Sequence, residues 1–165
     1  PLQIARLDAT WTVDFLDKVR GPKAPVVFEA LTDWTTNSDD LIKYYSGTAV
    51  YKSSFKLDAA PDGNHILIDL GDFVAMARVK VNGQDAGGLW TAPYTLDITD
   101  LVKAGDNEVE IEVVNTWLNR LIGDLNLPEA KRTTWAAINS WKADSPLQKA
   151  GLFGPVVIES VDYAE

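Results

Sequence analysis

Cysteine is absent from this chain, which removes disulfides, thiolate metal sites and cysteine nucleophiles together. Histidine occurs once. A His-dependent triad or metal site would therefore rest on His65 alone, and His65 opens a strand-like run just after a turn, where a surface position is expected. Surplus positive charge is lacking as well: 15 Lys and Arg against 24 Asp and Glu leave a net charge of -9. That sign argues against nucleic acid or an anionic membrane as a partner. No run approaches the ~18 apolar residues of a membrane helix, and no signal peptide is recognisable. The chain starts Pro1-Leu2-Gln3 without an initiator Met, so an excised or processed piece of a longer protein is expected, and the missing signal says little about the parent. No phosphate loop is expected either, because Gly87-Gly88 reads as a turn ahead of a strand, with no helix following.

What the chain has is alternation. Trp11, Val13 and Phe15 alternate with Thr12 and Asp14, and Ala49, Tyr51, Phe55 and Leu57 oppose Lys52, Ser54 and Lys56. Ile66, Ile68 and Leu70 oppose an exposed Asp69. Val109, Ile111 and Val113 against Glu108, Glu110 and Glu112 make the cleanest case. A period of two with one apolar face is the mark of antiparallel strands packed on one side. Val26 to Leu31 and Val156 to Val161 add strands near the two ends. Turn signals at Pro61-Asp62-Gly63-Asn64, Asn82-Gly83, Gly87-Gly88 and Gly105-Asp106-Asn107 recur at an all-β rhythm. Helix is expected to be scarce: one turn capped by Ser38 and ended at Gly47, and another over Thr99 to Lys103. From Trp117 to Lys149 the alternation fails, and so long an aperiodic stretch points to a functional or internally braced loop. With 165 residues, one all-β, two-sheet antiparallel sandwich domain over 1–165 is the expected architecture.

Particular segments are more specific. They are Leu31-Thr32-Asp33-Trp34, Tyr44-Tyr45-Ser46-Gly47-Thr48-Ala49-Val50-Tyr51, Val81-Asn82-Gly83, Trp90-Thr91-Ala92-Pro93-Tyr94 and Asp97-Ile98-Thr99. With Asn115 to Asp124 and Gly151-Leu152-Phe153-Gly154-Pro155-Val156, they resemble the galactose-binding-like β-sandwich domain of glycoside hydrolase family 2. The version resembled most is the C-terminal module of bacterial α-L-rhamnosidases and related glycosidases. The resemblance implies a jelly roll of eight or nine strands, an accessory part of a polysaccharide-degrading bacterial enzyme, in the periplasm, on the cell surface or secreted. It implies carbohydrate and the parent's catalytic domain as partners. The barrel that would carry the family's acid and nucleophile is missing, so no catalytic residue is assigned. No cofactor is expected. Galactose-binding-like sandwiches often hold a structural calcium ion, for which Asp33, Asp39, Asp40, Asp62 and Asn64 are the oxygen donors to consider, although no spacing matches a dedicated calcium loop.

Glycoside hydrolysis needs two carboxylates set across a sugar-sized cleft, and Glu108, Glu110 and Glu112 read instead as the solvated face of a strand. Sugar binding has better candidates. Pyranose C–H faces stack on indoles, and amides, carboxylates and guanidinium groups bind hydroxyls. Trp117, Asn119, Arg120, Asp124, Arg132, Trp135, Asn139 and Trp141 supply that mixture within one segment. The competing reading is structural: Arg120 and Asp124 are four apart, so a helical turn would pair them and brace the loop. Trp90 reads as packing in the core or at its edge, with a ligand platform or domain contact as the alternative. Trp11 and Trp34 read as core. The expected groove has Trp135 or Trp141 beside Trp90. Three roles remain open: an accessory module packed on a catalytic domain, an independent carbohydrate-binding module, and a structural spacer. An exposed apolar patch, a concave site with a solvent-facing indole, or neither, would distinguish them.

Overall fold

The computed structural model describes residues 1–163. Twelve strands among these residues form three antiparallel sheets. Strands β1 (Leu2–Arg6), β12 (Val157–Val161), β5 (His65–Asp69) and β9 (Thr95–Asp97) lie in that order in a four-stranded sheet. A six-stranded sheet runs β3 (Val26–Phe28), β2 (Trp11–Phe15), β4 (Thr48–Leu57), β10 (Gly105–Val114), β7 (Met76–Val81) and β8 (Gln84–Leu89). Strands β6 (Asp72–Val74) and β11 (Gly151–Gly154) pair separately. The sandwich is as expected, but the strand count exceeds eight or nine, because β3, β6, β9 and β11 are pieces of three or four residues.

The alternation in β10 does what it implies: Val109, Ile111 and Val113 are buried, and the strand is hydrogen-bonded on both sides, to β4 and β7. Beneath the sheet lies an aromatic cluster of Trp11, Phe15, Phe28, Trp34, Tyr45 and Tyr51 with edge-on contacts, such as Phe15 to Tyr45 at 4.8 Å. Trp34 reaches it from a single turn of 3-10 helix and donates its indole N–H to the Tyr51 hydroxyl at 2.6 Å. That hydroxyl also accepts from the Leu152 amide, and burial pushes its pKa up. A buried indole and phenol are tolerated because each finds its partner.

Asn82-Gly83 is the expected tight turn, with both residues at positive φ (50° and 79°) as a two-residue hairpin of the primed type needs. Gly87-Gly88, expected as a turn, instead lies inside β8. There Gly87 (φ 122°) flanks a bulge at Ala86 of the same strand, and a positive φ without a Cβ is what the irregular pairing requires. The first helix, α1 (Asp40–Lys43), is capped by Asp39 and not Ser38, and ends at Tyr44 before reaching Gly47. The strand near Val26 stops at Phe28, and Asp69 is half-buried, its carboxylate accepting from the Gly71 amide.

Register gives the sandwich a direction. Phe15, Ala49, Val113, Ala77 and Leu89 form one buried row across five strands. One residue beyond that row lie Leu16, Val114, Met76 and Trp90, of which Leu16, Met76 and Trp90 are exposed. Val19 and Trp117, on the connections leaving β2 and β10, are exposed at this end too. At the opposite end the connections are Pro61-Asp62-Gly63-Asn64, Asn82-Gly83 and Lys103-Ala104, polar or small throughout.

Candidate functional site: an indole-bearing groove beside the second helix

The aperiodic segment after Trp117 is not all loop. It begins with helix α2 (Leu118–Leu125), whose buried side is polar: Asn119, Arg120 and Asp124 are buried with Ile122 and Gly123. Gly123 lets this face approach Tyr44, since a Cβ there would meet the Tyr44 ring and its Cβ at 2.6 Å. Asn119 is wholly committed to the fold. Its carboxamide donates to the Gln148 carbonyl at 2.6 Å and accepts from the Gln148 amide at 2.8 Å, imitating a strand pair.

Arg120 and Asp124 meet as expected, with a guanidinium nitrogen 2.9 Å from Asp124 Oδ1 and side chains only 8% and 3% exposed. The approach lies off the hydrogen-bonding direction, so the contact is coulombic, and Arg120 Nε has no partner. Asp124 Oδ2 is the busier atom. It accepts from the Thr133 amide (2.8 Å), the Thr134 amide (2.7 Å) and the Thr134 hydroxyl (2.6 Å). Burial pushes this carboxyl up, but the Thr134 hydroxyl, the Thr133 amide, the Arg120 charge and the Thr134 amide outweigh it and hold the pKa below the ordinary value. Asp124 thus staples the returning loop to the helix. The residue after the staple is Trp135.

Trp135 is 85% exposed and stands between two concavities. One, of about 380 Å³, is lined by Arg20, Trp117, Leu121, Thr133, Thr134, Trp135 and Ala136. The other, of about 430 Å³, is bounded by Leu121, Leu125, Glu129, Arg132, Trp135 and Asn139, with Asp124 at its base. Trp117, 53% exposed, carries the Arg20 guanidinium 5.2 Å from its ring centroid. Of the residues expected here, Asp124, Arg132, Trp135 and Asn139 converge on one concavity, while Trp117 lines the other. Trp141, 45% exposed, lies outside both, tied by its amide to Asn139 Oδ1. Trp90 is not core: it is 69% exposed at the end of β8, its ring against Gly88, and it lines neither concavity. The expected groove beside Trp90 is therefore corrected to one beside α2. Arg20, Leu121, Glu129, Thr133 and Thr134 were not anticipated; the Leu121–Leu125 spacing was the one signal that could have revealed the helix.

Elsewhere, several ionisable groups hold neighbouring turns and strand ends. His65 is exposed at a strand end, 2.6 Å from Asp97. Asp33 and Asp39, of the calcium candidates, accept hydrogen bonds from the Thr35 and Leu41 amides as turn caps. Among the described residues, no cluster of three or more His, Asp and Glu side chains is arranged to hold a metal.

The fold is shared with known proteins. The model of the glycosyl hydrolase 2 galactose-binding domain-like family matches residues 30–146. The chain belongs to that family. It is 40% identical to a rhamnosidase from Novosphingobium sp. PP1Y, with a TM-score of 0.88 over 94% of this chain and 15% of that one. A protein of Formosa agariphila described as "Putative beta-glucuronidase" is 35% identical over 92% of this chain and 15% of its own length. The Ruminococcus gnavus beta-glucuronidase, 22% identical with a TM-score of 0.58 over 68% of this chain and 21% of its own, shares the fold. The chain thus spans about 15% of the length of the rhamnosidase and the Formosa agariphila protein.

Proposed function

We propose that this domain is a non-catalytic accessory module of a bacterial glycoside hydrolase, docked through the apolar end of its six-stranded sheet onto the catalytic domain. The observation that carries this reading is a group of exposed apolar side chains at one end of the six-stranded sheet. Leu16, Val19, Met76, Trp90 and Trp117 lie on the β2, β7, β8 and β10 connections at this end, and exposed apolar side chains grouped at one end of a sheet mark a contact site. The non-catalytic reading is supported by extent: the chain matches only about 15% of the length of the rhamnosidase and of the Formosa agariphila protein. Placement in the periplasm, at the cell surface or outside the cell belongs to the same proposal.

The test is association. The module and the remainder of the parent enzyme, produced separately, should bind in calorimetry, and the module alone should not hydrolyse aryl glycosides. Turnover by the module that one Asp or Glu substitution abolishes would overturn the non-catalytic reading, and lack of association would overturn the docking. A second contribution, direct contact with carbohydrate, is favoured by a specific feature: Trp135 presents its indole to solvent beside a concavity of ligand size.

A further inference from the structure

We infer that the concavity between α2 and the returning loop is a subsite for one uncharged pyranose unit, with Trp135 as its platform and Arg132 and Glu129 as its hydroxyl ligands. This rests on the carbohydrate-contact reading above and adds the ligand class and the residues. Three observations carry it. The first is Trp135 itself, the most exposed indole of the chain, held at a concavity of about 430 Å³ whose apolar wall is Leu121, Leu125 and Ala136. An exposed indole costs solvation without gain to the fold, but its face suits the C–H face of a pyranose.

The second is the polar set. Arg132 and Glu129 both line the concavity, and neither has an ion-pair partner among the described residues. Arg132 spends only Nε, on the Leu127 carbonyl at 3.1 Å, which orients the guanidinium and leaves its terminal nitrogens as donors. Asn139 uses Oδ1 on the Trp141 amide, leaving its NH2 group as a donor. The rim thus offers donors from Arg132 and Asn139 and an acceptor from Glu129, and a sugar hydroxyl both donates and accepts.

The third is charge. Asp124, at the base, is balanced by Arg120 and saturated on Oδ2. Glu129 and Arg132 then cancel, so the site offers no net positive field to select a sugar acid over a neutral sugar.

Asp124 acts here as a positioning residue, since its bonds to Thr133 and Thr134 set the direction from which Trp135 leaves the loop. The experiment is an NMR titration of the whole chain, following its indole N–H resonances, with methyl rhamnopyranoside, methyl glucopyranoside and glucuronate as separate probes. The expected result is millimolar binding of at least one neutral glycoside that shifts the Trp135 resonance, with glucuronate bound no more tightly. Trp135→Ala should abolish it, and Glu129→Gln and Arg132→Gln should each weaken it several-fold, all three with unchanged melting temperature. Binding that these variants leave intact, a preference for glucuronate, or no shift with any probe would overturn the subsite. None of those results bears on docking, which is read by association with the parent enzyme.

Discussion

Arg120 and Asp124 are so thoroughly enclosed that either charge, left alone, has nowhere to go. Arg120→Ala should therefore cost about 3 kcal/mol, as breaking a buried pair from one side does, and urea unfolding would register it as a lower midpoint at unchanged slope. The Asp124 carboxyl is held below its ordinary value, so its contribution is complete above the unfolded value of about 3.9 and drains away as pH falls through the depressed one. Asp124→Asn should be less stable than the parent at neutral pH, and should lose less on acidification below about pH 4. Parallel stability curves for the two proteins across that range would refute the assignment. Trp135→Ala, by contrast, should stay within about 0.5 kcal/mol of the parent. The Arg120–Asp124 pairing was legible because four residues is one helical turn. The Thr133 and Thr134 partners were not, since a loop returning nine and ten residues later leaves no periodic trace.

Helix α2 shows why a whole element escaped the pattern. Amphipathic helices are found by an apolar stripe, yet the buried face here carries Asn119, Arg120, Gly123 and Asp124, and Leu121 and Leu125 face the concavities. The strands β2, β4 and β10 were legible for the opposite reason: one face of each is buried among apolar side chains, so period two survives in the sequence. Strands of three residues, such as β6 and β9, are too short to alternate. Gly123 gives a sharp test of the α2 packing. In an exposed helix Ala is about 1 kcal/mol better than Gly. Here a Cβ would sit 2.6 Å from Tyr44 and 2.7 Å from the Arg120 guanidinium, so the sign should reverse. We expect Gly123→Ala to destabilise by about 1–3 kcal/mol through overpacking, read as a drop in melting temperature; a rise would mean that α2 does not rest on Tyr44.

For the molecule as a whole, the asymmetry between its ends is the feature that neither composition nor periodicity could convey, because it depends on which connections the register gathers together. Trp90 illustrates this. Alone in the sequence it reads as one more core indole, and only the pairing of Ala77 with Leu89 places it next to Met76, outside the buried row. At the other end, Asp62, Asn82 and Lys103 sit on connections with no large apolar side chain exposed. Docking through the end that carries Met76 and Trp90, as proposed, predicts opposite responses to the same kind of change at the two ends. Met76→Glu and Trp90→Glu introduce a charge that docking would have to desolvate, and each should weaken association with the remainder of the parent enzyme by ~10-fold or more. Asp62→Lys and Lys103→Glu change charge just as much and should leave association within about twofold, the response of residues outside a contact. Melting temperatures of all four should stay close to the parent, since none of the side chains is buried. Equal sensitivity at both ends would mean that long-range charge, and not the apolar end, governs the contact.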